Sequence, residues 1–345
     1  MSIQLVLNAP RVLSFEETED QPLKAGEVRV RTLFSGISAG TELTFYRGSN
    51  VYIHKRWDEA RRLFIPGTGS SLEYPIRNLG YEEVGEVIET GVDARDIPLG
   101  TRIYGTWNHR TTAILPADIA RQRQMPEGAE PITGIFSHIG AVALNGVHDA
   151  QIRLGDIVAI FGMGALGQIV LQAAMRSGGK VIAIDLHESR LQAARTHGAW
   201  KTLNARTEKV AEAIKDLTGG MGADVCIEVS GAVPALNEAI RSAAYNSRVI
   251  AMGFFQGDAA GLILGDEFHH NRINLVCSQI SGVAPDLQHR WNKPRLWRSV
   301  IQMQKDGWLD LKSLVTHTAP FEQAASLFQA LDQAPEQVMQ AVIQF

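Results

Sequence analysis

Cysteine is nearly absent from this sequence, with two residues among 345. Two distant cysteines form neither a disulfide framework nor a four-cysteine metal site, so stabilisation by either kind of cross-link is excluded. Cys226 lies in the apolar run ADVCIEV and Cys277 in the apolar run NLVCSQI. Because free cysteine behaves as a small apolar residue, we expect both side chains to be inert core residues.

The sequence also lacks a large excess of either charge sign, since it contains 33 basic and 37 acidic residues and has a net charge of -4. Nucleic-acid and anionic-membrane binding through electrostatics both need a basic surplus, so we expect neither partner. The first ten residues, MSIQLVLNAP, contain no basic leader and no small-residue cleavage site. We therefore expect a cytoplasmic protein.

Long uncharged runs are rare, and the longest precedes Arg176 with nineteen positions from residue 157. Its length alone would allow a membrane span. The run contains Gly162, Gly164 and Gly167 in the spacing G-x-G-x-x-G, between the strand-like DIVAIF and the helix-favouring QIVLQAAMR. Such glycines allow a sharp turn, the approach of a pyrophosphate to the backbone and close helix packing. This order therefore predicts a dinucleotide-binding turn instead of a membrane helix.

An acidic residue follows at the distance that this motif requires. The run KVIAID ends in Asp185, whose carboxylate can accept hydrogen bonds from an adenosine ribose and repels a 2′-phosphate. We therefore predict NAD as the cofactor, with NADP disfavoured. Backbone N-H groups of Met163, Ala165 and Leu166 are predicted to face the pyrophosphate at the helix N-terminus, and Arg190 is assigned to the same cofactor site.

The order of predicted elements divides the chain into regions. Up to about residue 120, short alternating runs separated by turn signals predict an all-β module. Within it, residues 53–78 are predicted to form an amphipathic helix and a Gly/Ser loop. From about 150 to 280, strands alternate with helices, which predicts βαβ units and a doubly wound parallel sheet. The remainder returns to helix and ends in the strand-like QVMQAVIQF, so the predicted fold class is α/β with a second, β-rich domain.

Five stretches together resemble the medium-chain dehydrogenase/reductase superfamily, and they span nearly the whole chain: GEVRVRTLFSGISAGTE, LGYEEVGEV, GMGALG, GADVCIEVSG and LVTHTAPFEQAASLFQAL. The stretch SGISAGTE resembles the branch of bacteriochlorophyllide dehydrogenases and their alcohol or sugar dehydrogenase relatives. The resemblance implies a GroES-like β-barrel catalytic domain from residues 1–135 and 283–345. It implies a Rossmann NAD-binding domain over 136–282, in a homodimer or homotetramer.

The same resemblance assigns further positions to the cofactor. Ser230 and Gly231 match a turn near the nicotinamide ribose, while Gly253 and Phe254 lie at the end of the next strand. Gln340 falls where relatives often have a basic residue near the cofactor phosphates.

Zinc-dependent members of the superfamily hold the metal with three side chains, and each position departs from that pattern here. The first falls on Ala39 or Ser38, the second on Tyr81, and the third near Ser137 or His138. Zinc prefers thiolate, imidazole and carboxylate ligands. We therefore expect no catalytic zinc, and we read the cluster at His269 and His270 as a solvated loop.

Without zinc, a side chain has to handle the substrate proton. Thr41 matches the hydroxyl that relays this proton in zinc relatives, or it satisfies a turn. Tyr81 either hydrogen-bonds the substrate oxygen or fills vacated space. Glu82 and Glu42 match acids that support the metal in relatives, and each is interpreted as a freed base or an arginine partner. His138 is a candidate acid or base, or a satisfied core histidine.

Three functions compete at this stage. The first is a zinc-independent NAD-dependent dehydrogenase for an alcohol or ketone, such as a polyol or sugar derivative. The second is a quinone or enone reductase, which Asp185 disfavours because such zinc-free relatives generally use NADPH. The third is a non-catalytic nucleotide-binding protein, which only turnover assays separate from the others.

Overall fold

The computed structural model describes all 345 residues, and the chain forms two compact units. We call Met1–His138 together with Val315–Phe345 the β unit, and Ile139–Leu314 the α/β unit. The predicted fold class is confirmed, with a parallel-sheet unit and a separate β-rich unit. The chain re-enters the β unit at residue 315 instead of 283, because the intervening segment is tied to the α/β unit, for example by two hydrogen bonds between Gln172 and Asp310.

The strands in chain order are β1 (Ser2–Ala9), β2 (Val12–Thr18), β3 (Glu27–Ile37), β4 (Arg56–Asp58), β5 (Leu63–Ile65), β6 (Glu83–Thr90), β7 (Arg102–Gly105), β8 (Thr112–Pro116), β9 (Ile157–Phe161), β10 (Lys180–Asp185), β11 (Lys201–Asn204), β12 (Ala223–Glu228), β13 (Ala243–Ala251), β14 (Asn274–Cys277), β15 (Val315–Pro320) and β16 (Gln340–Gln344). The α-helices are α1 (Glu42–Arg47), α2 (Val51–His54), α3 (Ala117–Gln122), α4 (Phe136–Ala150), α5 (Ala165–Arg176), α6 (Glu188–Thr196), α7 (Val210–Leu217), α8 (Val233–Ser242), α9 (Lys293–Lys305) and α10 (Ala324–Gln333).

The β unit is organised around β3, the longest strand. Its sheet has the order β15-β16-β3-β6-β7, and β8 also pairs with β3. The alternating residues Val28 and Val30 are fully buried, as a strand with one face on a core requires. Just past its end lies Ser38, which begins the candidate site. The C-terminal β16 pairs antiparallel with this end of β3, from Ala341 opposite Ile37 to Gln344 opposite Phe34.

The prediction of an amphipathic helix within residues 53–78 is wrong. The chain makes only the short α2 there and then the hairpin β4-β5, whose aromatic rings Trp57 and Phe64 contact each other across the strands. Cross-strand aromatic pairs stabilise a hairpin directly. Here the hairpin forms although the charged residues are spaced as in an amphipathic helix.

The α/β unit is a six-stranded parallel sheet of order β11-β10-β9-β12-β13-β14. The central strands are apolar on both faces because helices cover both sides. The long uncharged run is confirmed as a strand (β9), a turn and a helix (α5). No helix of the structure has the length and hydropathy that a bilayer crossing requires.

The two cysteines differ in their surroundings. Cys226 is fully buried in β12, as predicted, whereas Cys277 is exposed at the end of the edge strand β14. The prediction of a buried Cys277 is wrong because β14 pairs on one side only, so its apolar run is not enclosed.

Candidate active site

The carboxyl ends of four neighbouring strands bring the predicted cofactor residues to one edge of the parallel sheet. Register pairs place Ile184 of β10 beside Phe161 of β9, and Phe161 beside Glu228 of β12. Chain order runs outward from β9 to β10 and β11 on one side, and continues through β12 on the other. In such sheets the ligand crevice lies outside the carboxyl ends where the strand order reverses. That point is the β9/β12 boundary.

The three glycines of the turn differ in the space around them. Gly162 has a φ of 101°, which side chains rarely adopt. A Cβ on Gly167 would lie 1.9 Å from the Gly162 carbonyl oxygen, so helix α5 can approach β9 only with glycine here. A Cβ on Gly164 would meet nothing within 4 Å. This open side of the turn fits the close approach of a pyrophosphate.

Asp185 is buried and already held by the backbone. Its Oδ2 accepts the Met163 N-H at 2.7 Å, and its Oδ1 accepts the His187 N-H at 2.8 Å. The guanidinium of Arg190 lies 3.8 Å from Oδ2. Because the Met163 amide is used in this way, it is not available to a pyrophosphate as predicted. The amides of Ala165 and Leu166 at the start of α5 remain the candidates for that role.

A second turn is held by Glu228, a residue that sequence reasoning missed. The fully buried Glu228 carboxylate accepts the N-H groups of Ser230 and Gly231, and the Ser230 hydroxyl. A Cβ on Gly253 would lie 2.2 Å from the Gly231 nitrogen, so the turns after β12 and β13 touch only because residue 253 is glycine. Phe254, at the same edge, is 43% exposed. An acid just before a serine-glycine pair was the signal available in the sequence.

In the β unit, the three positions that match zinc ligands in relatives come together. The phenol of Tyr81 donates a hydrogen bond to the Ser38 hydroxyl. The ring of His138 contacts the Tyr81 ring edge to face, with 5.0 Å between centroids. Ser38 therefore takes the first position, whereas Ala39 is exposed and takes no part.

Tyr81 is held as a neutral phenol. Burial raises its pKa, the acids Glu82 and Glu42 raise it further, and hydrogen bonds to Ser38 and Thr41 only partly offset this. A neutral phenol is a hydrogen-bond donor as well as an acceptor. The half-buried Thr41, at the start of α1, therefore belongs to the same hydroxyl cluster.

Behind this surface lies a buried ion pair. His109 Nε2 is 2.7 Å from Glu42 Oε2, and both side chains are enclosed. The other oxygen, Glu42 Oε1, accepts the Ser38 N-H at 2.9 Å. Burial opposes protonation of His109, but Glu42 and Glu83 outweigh it and raise the pKa of the imidazole. Glu42 thus pairs with a histidine, not with the arginine that was predicted as one alternative.

The chain of polar contacts continues to Glu83. His109 Nδ1 lies 2.6 Å from Ser35 Oγ, which lies 3.1 Å from Glu83 Oε1, while Glu83 Oε2 accepts the Trp107 N-H at 2.6 Å. Burial raises the pKa of Glu83 to about 7, although His109 opposes the shift. Sequence reasoning missed both His109 and Glu83. Nothing local marks them, because His109 comes from a loop between β7 and β8 that only the fold brings here.

Glu82 occupies a different environment from the one predicted. It has no exposed surface, and neither carboxyl oxygen has a hydrogen-bond partner. Burial, with Glu42 and Glu83 nearby, holds its pKa well above its ordinary value. The side chain lies against Gly36, where an added Cβ would be 2.6 Å from Oε2. Because Glu82 has no exposed surface, it does not reach a substrate in this structure, and the geometry does not support it as a base.

Gln340 also faces the interior of the β unit. Its amide donates to the Ile37 and Ala341 carbonyl oxygens at 3.0 Å each. Both N-H groups are therefore used by the backbone, and the residue does not substitute for a phosphate-binding base.

The side chains at the three positions that match zinc ligands in relatives do not suit zinc. A hydroxyl, a phenol and one imidazole replace the thiolates, imidazoles and carboxylates that zinc selects. The structure contains no group of three or more His, Cys, Asp or Glu residues arranged to hold a metal ion. His269 and His270 are both exposed and contact each other.

The α/β unit carries a turn of the dinucleotide-binding type, and the β unit carries a cluster of hydroxyl groups. A family model described as zinc-binding dehydrogenase matches residues 165–293. The chain is 33% identical over 348 residues to D-guloside 3-dehydrogenase of Escherichia coli (strain K12), covering 99% of both chains. It is 24% identical over 330 residues to (R,R)-butanediol dehydrogenase of Bacillus subtilis (strain 168), covering 88% of both.

A solved structure shares the whole fold. A putative zinc-binding dehydrogenase from Sinorhizobium meliloti 1021, bound to NADP, superposes with a TM-score of 0.80 at 19% identity over 100% of this chain and 99% of that one. The chain belongs to the medium-chain dehydrogenase/reductase superfamily and is an oxidoreductase, as the sequence predicted.

The turn glycines generate a matched test. We expect Gly164→Ala to fold with nearly unchanged stability, because its Cβ enters open space, yet to bind NADH at least about tenfold more weakly because the methyl group faces the pyrophosphate. Gly167→Ala should instead lose about 3 kcal/mol of stability through overlap with the Gly162 carbonyl. Chemical denaturation and NADH fluorescence titration measure both quantities. Unchanged NADH affinity in Gly164→Ala would contradict this assignment of the turn.

Glu83 generates a pH prediction. Because the native pKa lies above the ordinary 4.5 at about 7, the native state binds the extra proton. The protonated Glu83 carboxyl therefore makes its full contribution to the free energy of unfolding below pH 4.5, and this contribution is lost as the pH rises through 7. We expect about 2 kcal/mol of loss between pH 5.5 and 8.5, measured by urea unfolding, and Glu83→Gln should remove that part of the slope.

The raised pKa of His109 acts in the same direction, so a residual slope should remain in the variant. Glu86→Gln, on the same strand but paired with Arg31 at the surface, serves as the control and should keep the wild-type slope. Equal slopes in Glu83→Gln and wild type would disprove the prediction.

Proposed function

We propose that this chain is a zinc-independent, NAD-dependent dehydrogenase that oxidises a hydroxyl of a polyol or sugar derivative. The observation that carries the proposal is the cluster of Ser38, Tyr81 and His138 at the three positions where relatives place zinc ligands. These groups supply hydrogen bonds and a proton acceptor to a substrate oxygen without a Lewis acid.

The substrate class is supported by the chemistry of the cluster and by the relatives. Ser38, Thr41 and Tyr81 present hydroxyl groups that both donate and accept, which suits a polyhydroxylated ligand. The names of the two relatives refer to a glycoside and to a diol. A sugar or polyol with neighbouring hydroxyls satisfies both observations.

The proton has a defined route in this proposal. NAD, when bound, supplies the hydride acceptor for the substrate carbon. When a substrate binds, the neutral Tyr81 phenol turns its one O-H from Ser38 Oγ to the substrate oxygen, and the Ser38 hydroxyl then donates to the phenol oxygen and keeps the ring in place. Imidazole is the side chain that takes up a proton near neutral pH, so His138, in contact with the Tyr81 ring, accepts the proton that the hydroxyl releases. Carbonyl reduction reverses these transfers.

NAD preference is proposed from the charge of Asp185. Its carboxylate is oriented by the amides of Met163 and His187, and each oxygen retains a lone pair for a ribose hydroxyl. We expect NADH to bind at least about tenfold more tightly than NADPH, because a 2′-phosphate would meet this charge. Asp185→Ser combined with Leu186→Arg should shift the preference toward NADPH, since Leu186 is 48% exposed and can present a guanidinium.

Leu186→Arg alone is the control, because it retains the repelling carboxylate. Fluorescence titration with both nucleotides gives the ratio for each variant. Equal affinities in the wild type, or an unchanged ratio in the double variant, would refute selection by Asp185.

Tyr81 is the residue that tests the mechanism. Tyr81→Phe removes only the hydroxyl, so we expect turnover to fall by about 10² to 10⁴ while melting temperature and NADH affinity stay near wild type. Tyr81→Ala should also destabilise the fold, by less than the about 3 to 5 kcal/mol of a fully buried aromatic truncation, because the ring is half-buried. Steady-state kinetics on a panel of polyols and glycosides, with thermal melts, separate these effects.

A fully active Tyr81→Phe enzyme would show that the ring only fills space. Elemental analysis that finds one zinc per chain, together with loss of activity to a chelator, would overturn the zinc-independent proposal.

A further inference from the structure

The buried amide of Gln168 links the nucleotide-binding turn to helix α6. This side chain has no exposed surface and lies in the first turn of α5, directly after Gly167. Its Nε2 donates to the Met163 carbonyl at 3.1 Å and to the Arg190 carbonyl at 2.9 Å. The amide thus joins the two residues that flank the Asp185 carboxylate.

These contacts fix the orientation of the amide. Carbonyl oxygens only accept, so both N-H groups of Gln168 must point at Met163 and Arg190. The oxygen Oε1 then faces His197 Nδ1 at 2.9 Å. An amide oxygen also only accepts, and His197 must therefore carry its proton on Nδ1.

The other ring nitrogen of His197 agrees with this tautomer. Nε2 lies 3.1 Å from the Ser313 hydroxyl, which can donate to it in place of its longer, 3.5 Å contact with the Asp310 carbonyl. Burial lowers the pKa of His197, while Asp310, 4.0 Å away, acts in the opposite direction. The neutral ring with hydrogen on Nδ1 satisfies every partner, whereas in water the Nε2 tautomer is the usual one.

We propose that Gln168, held by the Nδ1-H tautomer of His197, is a positioning residue for the adenosine end of the dinucleotide. Its hydrogen bond to the Met163 carbonyl holds the residue whose N-H donates to Asp185 Oδ2, and its hydrogen bond to the Arg190 carbonyl holds the residue whose guanidinium lies beside the same oxygen. This inference rests on the dinucleotide-binding part of the proposed function and adds a residue that touches neither substrate nor cofactor.

Substitution of Gln168 by Met tests the positioning role, because it keeps the length of the side chain and removes the amide. We expect the dissociation constant for NADH to rise about tenfold, as loss of oriented hydrogen bonds implies. Gln172→Met is the matched control, one turn further along α5, because that buried glutamine bonds only to Asp310. The control should change the NADH dissociation constant by less than about twofold at a comparable loss of stability.

Nitrogen-15 NMR of labelled histidine provides a readout that needs no ligand. In the wild type we expect His197 to show hydrogen on Nδ1, and in Gln168→Met a shift to the Nε2 form. His197→Asn, whose Nδ2 can donate to Gln168 as Nδ1 does, should retain NADH affinity, whereas His197→Leu should weaken it.

The outcomes separate the two proposals. A wild type that fails to bind NADH but shows the Nδ1-H tautomer would refute the proposed cofactor and leave the amide linkage intact. A wild type with the Nε2-H tautomer would overturn the linkage. Equal NADH affinity in folded Gln168→Met and wild type would overturn the positioning role. If Gln168→Met does not fold, the two His197 variants provide the test. Equal NADH affinities in His197→Asn and His197→Leu would overturn the positioning role of Gln168.

Discussion

The buried ion pair between Glu42 and His109 is the interaction on which the candidate catalytic surface depends. Burying a lone carboxylate in this interior would be costly, and the imidazolium offsets that cost while leaving one oxygen for the Ser38 amide. The Ser38 hydroxyl oxygen in turn accepts a hydrogen bond from the Tyr81 phenol. The position of the Tyr81 phenol, the proposed hydrogen-bond donor to the substrate oxygen, therefore depends on a charge pair that never meets solvent.

The same physical solution recurs in the α/β unit. Asp185 and Glu228 are acids at the ends of β10 and β12, the two strands that flank β9, and each is satisfied by backbone amides of the turn that it orients. Because a buried carboxylate must find hydrogen bonds, each turn adopts the conformation that supplies them. Gln168 follows the same principle behind the turn, since its amide donates to the Met163 carbonyl of the turn and to the Arg190 carbonyl of α6.

The cofactor edge was largely readable from the sequence, because its signals are local. Gly162, Gly164, Gly167 and Asp185 lie within one βαβ unit, where spacing along the chain translates directly into position. The surface at Tyr81 was readable in part, through resemblance to relatives whose ligands it replaces. The hairpin β4-β5 and the exposure of Cys277 were not, since aromatic pairing and sheet order decide them.

The sequence by itself determined the fold class, the dinucleotide-binding turn with its acid, and the departure of the metal positions from zinc ligands. These properties depend on residue type and short spacing. Only the tertiary structure decided that Ser38 instead of Ala39 meets Tyr81, that Glu82 is enclosed, and that His109 and Glu83 stand behind the site. The contacts of His109 with Glu42 and Ser35 join residues 67 and 74 positions apart. Protonation states follow from burial and neighbouring charge, and neither exists until the chain has folded.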